Sequence, residues 1–594
     1  MAAPLIRRAW SYRQGFILGL TPLLLLPLPL VVRTTEATCG YVILLMAVYW
    51  ITEVIPMAVT SLIPAVLLPT TGLLTSRQVA LNYIKDSTIL FMGGLMVALA
   101  IERWNIHKRL ALRVLMLVGS QPKWLMLGFM LVTSFLSMWI TNTATTAMMA
   151  PIALAVVDQL RHRRKVLART ALMHGEIGQL ELMKNSNSTL HSREHVELYP
   201  NDDDPDVHVS REYADKDTST KETNQNKDFV SVSTGMVLCI AYAANIGGIS
   251  TLTGTLPNLI VKSYVDTTYG AKAGVTFSSW FIFAFPCMLL SLLLAWFYLQ
   301  LAFLGRKSLC QWRCKDDDTG VAEIIKQEYK QLGPVSFAEA ATLGHFVLLA
   351  VLWITRDPGF IPGWGSLFPE GFVTDACPSI LVSTMMFMCP SQRPKQEWFT
   401  GRIREVPCLL DWRTATTKLP WGVLILIGGG MAVAHAAKES GLSVWVGQQF
   451  VGLTAVPAWA TVLIVSTIVA AITEVTSNTA TMTIFLPILG QIAGITQVNP
   501  LYLMLPAAIA ASFAFMLPVA TPPNALVFSY GMFSVGDMAK AGFVLNITCI
   551  LALNFIANTW GRIYFNFHSM PSWARDMSLV SYNSTVPPET VTYI

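Results

Sequence analysis

Charge is what this sequence has least of. Asp, Glu, Lys and Arg together supply 13% of its 594 residues, about half the roughly 25% of an average soluble domain. With 53% of the residues hydrophobic, that shortage excludes both a water-soluble fold and a largely disordered chain. Cysteines at metal-binding spacing are also wanting. The nine cysteines are scattered, and the one close pair, Cys310 and Cys314, stands in a basic stretch without further ligands at matching spacing, which argues against a metal site. No HExxH, GxSxG or P-loop pattern occurs, and no serine has a convincing His/Asp partner set, so the chain is expected not to be an enzyme. The net charge of +5 does not signal nucleic acid, because the basic residues gather at the edges of apolar runs.

What is present is a series of such runs, at 15–32, 41–51, 89–101, 126–140, 280–303, 341–354, 423–437, 501–519 and 543–557. Several reach or approach the roughly 20 residues that cross a bilayer, and the first reads as a retained span rather than a removed signal peptide. The fold expected is therefore an all-α polytopic membrane protein. Arg7, Arg8 and Arg13 precede the first run, and Arg161, Arg163, Arg164 and Lys165 follow another, which places both of these basic segments, and with the first the N-terminus, in the cytoplasm. The polar stretch 161–229 reads as a disordered cytoplasmic loop, and its acidic run 201–206 as a solvated face. Sequons at Asn187 and Asn583 conflict in sidedness. The arginine cluster outweighs the first, which puts the tail outside, makes Asn583 the glycosylation candidate and requires an odd number of crossings, about eleven. Residues 103–113 mix Arg103, His107, Lys108, Arg109 and Arg113 with apolar residues at helical spacing, as in a helix lying on the inner interface.

Two polar stretches interrupt the apolar pattern, and they match. SMWITNTATTAMMAP begins at Ser137 and TEVTSNTATMTIFLP at Thr473. Gly94 precedes Asn142 by 48 residues (142 − 94), and Gly430 precedes Asn478 by 48 (478 − 430). Downstream, Thr253-Gly-Thr-Leu-Pro-Asn258 answers Val519-Ala-Thr-Pro-Pro-Asn524, the unequal distance being absorbed by the polar loop. Pro257, Pro522 and Pro523 cannot continue a hydrogen-bonded helix. A bilayer tolerates such breaks only where protein or water satisfies the freed backbone groups. Broken helices at corresponding positions of two repeats point to a transporter's binding site. Freed carbonyls with Ser, Thr and Asn oxygens suit a hard cation such as sodium, and half-helix N-termini suit an anion.

At these residues the chain resembles the divalent-anion sodium symporter family, the animal sodium-coupled carboxylate and sulfate cotransporters. TEVIPMAVTSLIP, AIERWNIHKRLALR, GGISTLTGT, RDPGF, KESGLSVW, SNTAT, FAFMLPVATPPNA and NTWG are similar to family signatures, and the combination is most like the citrate and dicarboxylate branch. The resemblance implies a homodimer at the plasma membrane with an inverted repeat, two re-entrant hairpins, two unwound helices and an elevator-type cycle. It divides the chain into N-terminal spans with an interface helix (1–123), a hairpin entered from inside (124–160), the polar loop (161–229) and an unwound helix with its following span (230–303). The second repeat would supply scaffold spans (304–454), a hairpin entered from outside (455–491), an unwound helix with the last span (492–565) and the external tail (566–594). By the same resemblance, one sodium position uses Ser137, Thr141, Asn142 and Gly254, and a second uses Thr473, Ser477, Asn478 and Ala520. Substrate meets Asn142, Thr143, Thr255 and Leu256 from one half and Asn478, Thr479, Thr521 and Pro522 from the other. No cofactor beyond sodium as coupling ion is implied.

Two departures stand out. Thr141 replaces the family's usual serine and keeps the hydroxyl; Leu256 stands where a small residue is usual, which shrinks the pocket and favours a four-carbon dicarboxylate over citrate. Gly428-Gly429-Gly430 reads as close helix packing, not a nucleotide loop. Glu53 and Glu474 are intramembrane carboxylates, each a functional candidate against the alternative of a local structural bond. The function expected is sodium-coupled import of di- or tricarboxylates, with sodium–sulfate cotransport and an anion channel as alternatives.

Overall fold

The computed structural model describes residues 13–118, 121–158, 230–305, 319–359, 361–369, 371–393, 407–449, 456–567 and 569–575. Arg7, Arg8, the cluster at 161–165, the acidic run 201–206, both sequons and the Cys310/Cys314 pair lie outside them. Within the described residues the chain is helical, with one isolated bridge between Pro390 and Cys408. Eight helices are long and apolar enough to cross a membrane, or nine if Asp86–Arg103 and Ile106–Val118, bent by 65° at a short break, are taken together.

Burial separates these helices into two kinds. Gln14–Val32 has 6% of its apolar window buried, whereas Val230–Gly248 has 83%. The first therefore exposes large apolar side chains such as Leu23, Leu24 and Val31, as a lipid-facing helix does. The second is a core element. The shorter apolar helices Pro122–Ser137, Ala376–Met388, Ala458–Thr473 and Pro500–Ala510 pack between the long ones, and every residue of Pro500–Ala510 is buried.

Each half of the molecule carries the same sequence of elements. In the first, helix Pro122–Ser137 breaks at 138–141 and resumes over 142–158; Val230–Gly248 then unwinds over 249–255 and restarts as Leu256–Tyr269. In the second, Ala458–Thr473 breaks at 474–477 and resumes as Asn478–Thr496; Pro500–Ala510 unwinds over 511–521 and restarts as Pro522–Ser529. The restarts after the unwound stretches carry proline in their first turn, Pro257 in one and Pro522 in the other, because its missing N–H is one the first turn leaves unbonded anyway.

The unwound stretches are held by equivalent asparagines. Asn258 Nδ2 donates to the carbonyls of Gly248 and Thr251 at 3.3 and 2.7 Å. Asn524 Nδ2 donates to those of Ala514 and Leu517 at 2.9 and 3.0 Å. Both asparagines are fully buried. They replace lost helical hydrogen bonds where no water reaches, which is the condition for irregular backbone at membrane depth.

Around this duplicated centre, other motifs fix the frame. Gly428, Gly429 and Gly430 face Tyr83, Ser61 and Thr483 so closely that a Cβ would come within 2.5, 2.3 and 2.5 Å of them, in keeping with helix packing. Arg356 of the RDPGF stretch pairs with buried Asp375 at 2.5 Å, and the other oxygen of that carboxylate accepts from the Phe277 N–H at 3.0 Å. Lys108 and Arg109 of the basic helix pair with Glu328 and Glu339, while Lys85 and Asp86 bond Thr267 and Thr374. Asp411 caps helix Trp412–Lys418 and meets Arg103; the Thr414 N–H first, and that cation after it, hold its carboxyl below the usual range.

Candidate functional site

The first hairpin's break places three oxygens together. Ser137 Oγ, fully buried, lies 2.5 Å from Asn142 Oδ1 and 2.8 Å from the Ala244 carbonyl. A hydroxyl carries one proton, so two acceptors share a single donor. Three converging oxygens short of protons are what a hard cation satisfies. The Gly254 carbonyl lies on the same side: a Cβ at Gly248 would come within 2.6 Å of Asn142 Oδ1 and 3.1 Å of Gly254 O. Thr141 accepts from the Ala144 N–H at 3.3 Å and so begins the second limb.

The second break repeats this arrangement. Thr473 Oγ1, also fully buried, lies 2.7 Å from Asn478 Oδ1 and 2.8 Å from the Ala511 carbonyl. Ser477 begins helix Asn478–Thr496 without a side-chain cap, and Ala520 stands at the end of the unwound stretch.

Between the halves is a cavity of about 860 Å³. It is lined by Thr141, Asn142, Thr143, Gly254, Thr255 and Leu256 from the first half and by Ser477, Asn478, Thr479, Ala520, Thr521 and Pro522 from the second. Ser137 and Thr473 stand behind this wall on Asn142 and Asn478. Four helices begin here, at residues 142, 256, 478 and 522, so four positive dipole ends face one space. Thr255, Ser477 and Thr521 make no side-chain cap bond. First-turn N–H groups at Leu256, Asn478 and Thr479 are left for a ligand, whereas Pro257, Pro522 and Pro523 carry none, so that Thr521 offers its hydroxyl and the dipole end.

Among the described residues no lysine or arginine lines the cavity, and the one charged residue that does is Glu53. An anion held here is therefore held by N–H groups, hydroxyls, amides and accompanying cations. Glu53 caps helix Thr35–Thr52 with φ of 47°, in the left-handed region that disfavours a side chain.

Two residues were not assigned site roles by pattern reading. Asn245, 1% exposed, accepts from Asn142 Nδ2 at 3.4 Å and donates to Thr521 Oγ1 at 3.3 Å and the Ala514 carbonyl at 3.4 Å. It is not duplicated, so the repeat carried no signal for it. Asn546 lies inside the apolar helix Val535–Ile556 and donates to Glu474 at 2.5 Å. Glu474 itself, 5% exposed, accepts from the backbone N–H groups of Phe515, Met516 and Leu517 at 2.8, 3.0 and 3.3 Å. Its carboxylate thus binds hairpin to unwound stretch without a cationic partner.

This fold defines a polytopic helical membrane protein whose duplicated, proline-broken centre surrounds one cavity. Residues 7–567 match the family model described as the sodium:sulfate symporter transmembrane region, and the chain belongs to that family. It is similar to mouse solute carrier family 13 member 2, 46% identical over 97% of this chain and 98% of the relative. It is also similar to mouse Na(+)/dicarboxylate cotransporter 3 (42%, covering 99% and 98%) and to mouse Na(+)/citrate cotransporter (44%, covering 96% and 98%).

Proposed function

We propose that the chain is a sodium-coupled symporter that imports di- or tricarboxylates of the succinate and citrate class. The carrying observation is the cavity itself: helix N-termini and uncapped hydroxyls face it from both halves, with a proton-poor oxygen cluster behind each asparagine. Two opposed anion-receiving faces suit a molecule with a carboxylate at either end better than a compact anion with one centre. The relatives named as dicarboxylate and citrate cotransporters support the same choice over sulfate.

In this reading the oxygens of Ser137, Thr141, Asn142 and Gly254 hold one Na+, and those of Thr473, Ser477, Asn478 and Ala520 another. The substrate carboxylates meet Asn142, Thr143 and Thr255 on one side and Asn478, Thr479, Thr521 and Pro522 on the other, with Leu256 limiting the space between. Each Na+ shares an asparagine with the anion, so the ion offsets the charge that no arginine is there to meet. Eleven crossings, a cytoplasmic N-terminus, an external tail glycosylated at Asn583, a homodimer in the plasma membrane and an elevator-type movement of the hairpins complete the proposal.

Uptake of labelled succinate, citrate and sulfate into cells expressing the chain, with sodium or choline outside, tests it. Sodium-dependent succinate or citrate uptake is expected. Sodium-driven sulfate uptake without carboxylate uptake would favour the sulfate reading, and sodium-independent flux would favour an anion channel.

A further inference from the structure

We infer that Asn245 is the positioning residue that couples the two half-sites, so that sodium bound at Asn142 raises the affinity of Thr521 for the anion. This rests on the sodium–carboxylate reading above and adds to it a link between sites that lie in different repeats.

Asn142 presents its Oδ1 to Ser137 at 2.5 Å and its Nδ2 to Asn245 Oδ1 at 3.4 Å. Asn245 is 1% exposed, and its two amide protons go to Thr521 Oγ1 at 3.3 Å and the Ala514 carbonyl at 3.4 Å. An amide nitrogen only donates and an amide oxygen only accepts. Thr521 Oγ1 therefore receives a proton from Asn245, and its own hydroxyl proton is turned away from that bond. Thr521 lines the cavity at the start of helix Pro522–Ser529, so the proton is available to an anionic oxygen there.

A cation on Asn142 Oδ1 fixes the plane of that amide and polarises its N–H bonds. The effect passes to Asn245 and then to the Thr521 hydroxyl, because chained hydrogen bonds strengthen one another in a low-dielectric interior. All three bonds are long, which leaves room for them to tighten when the ion binds. The link is single. Position 511 stands to Asn524 nearly as 245 stands to Asn258, 13 residues ahead in each case (524 − 511 and 258 − 245), and it is an alanine. No amide there reaches back to Thr255, so this route joins the sodium position at Asn142 to Thr521 and has no counterpart joining Asn478 to Thr255; as a coupling free energy it acts on ion and anion alike.

The test uses the purified full-length protein and reads succinate affinity at high and at low Na+, together with the melting shift that Na+ alone produces. Asn245→Ala is expected to reduce the Na+-induced gain in succinate affinity by about five-fold, the lower end of ordinary site–site coupling, while the Na+-only melting shift persists. Thr521→Val, which keeps the packing around Asn245, is expected to reduce the same ratio, and the double variant to be no worse than the more affected single one. Equal weakening of succinate at both Na+ concentrations in Asn245→Ala, or additive effects in the double variant, would overturn the link. If Asn245→Ala does not fold, Thr521→Val alone decides by the same ratio. Wild-type protein with no Na+-dependent succinate affinity would remove the functional reading and the link with it; a wild-type gain retained unchanged in the variants would remove only the link.

Discussion

The two half-sites share a plan but differ in how each hairpin tip is tied to its unwound stretch. In the first half, the residue after Ser137 is Met138, whose backbone carbonyl accepts from Thr251 Oγ1 at 2.5 Å, while Trp280 Nε1 bonds the Ile249 carbonyl at 3.0 Å. In the second, the residue after Thr473 is Glu474, whose carboxylate takes three backbone N–H groups and Asn546. Asn546 and Trp280 stand equally far beyond the clamping asparagines, 22 residues in each case (546 − 524 and 280 − 258). Duplication has thus kept the oxygen clusters and let the supports diverge. One half relies on neutral bonds to carbonyls, the other on a buried charge whose solvation shell is the protein backbone. Such a charge is stable only while every one of those bonds is made.

The largest expected effects treat the halves as equals. Asn142→Ala and Asn478→Ala each remove a group proposed to touch both Na+ and substrate. Two contacts to charged partners at about 1.5–3 kcal/mol each correspond to a loss of at least about 100-fold in sodium-driven uptake. Surface labelling should show both variants at the membrane. Near-normal uptake in either one would break the symmetry and take that residue off the site.

Glu474→Gln sharpens the contrast between the supports. The amide keeps the shape but turns an NH₂ toward backbone donors, leaving at least one buried N–H unbonded at about 1–3 kcal/mol. About ten-fold weaker Na+ activation of uptake is expected, with a lower melting temperature. Met138→Leu, at the matching position, changes nothing that its backbone carbonyl does, and should keep Na+ activation within about two-fold, as for a volume-conserving swap. Equal effects of the two substitutions would mean that the second half does not depend on its carboxylate.

A smaller contrast lies at Gly254 and Ala520, which occupy corresponding places four residues before the clamping asparagines (258 − 254 and 524 − 520). A Cβ on Gly254 would sit 2.4 Å from the Gly248 carbonyl, backbone that cannot swing aside. Gly254→Ala is expected to weaken Na+ activation several-fold through a displaced loop, at a cost of about 1–3 kcal/mol. Ala520→Gly, in the half where a methyl is already accommodated, should alter Na+ activation by less than about two-fold, consistent with a cost of a few tenths of a kcal/mol for added chain freedom.

These contrasts also separate what was legible in the sequence from what was not. Asn142, Asn478, the proline breaks and the clamping asparagines stood out because each occurs twice in register, and lone polar residues in membrane helices do not have that property. Asn245 and Asn546 occur once, inside apolar helices, where an amide looks the same whether it joins two helices or two binding sites. Glu474 was visible as a buried charge, but three of its partners are backbone groups 41 to 43 residues on, which no side-chain pattern announces, and the fourth is Asn546. The class of fold followed from the apolar runs. Which runs span did not, since 126–140 is as apolar as a true span, yet its helix stops at Ser137. Its length is set by what Asn142 and Ala244 ask of Ser137, and that is tertiary information.

A last contrast, read as a ratio of two substrates and not as a loss of uptake, sets Leu256 against Pro522, each the first residue of its restarted helix and each on the cavity wall. Leu256 is half-buried: part of its side chain packs on the hydrophobic core and part lines the cavity. If the cavity-facing part limits the length or branching of the anion, Leu256→Ala opens room for a third carboxylate while leaving the backbone N–H groups of both halves in place. A contact worth one or two methylenes, about 1 kcal/mol, raises the citrate-to-succinate uptake ratio by roughly three- to ten-fold. Alanine is preferred to glycine here because it keeps the first helical turn intact. Competition uptake with both labelled substrates reads the ratio directly. An unchanged ratio with lowered stability would mean that Leu256 serves the core face alone, and that selectivity between the two carboxylates is set elsewhere on the cavity wall, where Glu53 is the one charged side chain among the described residues.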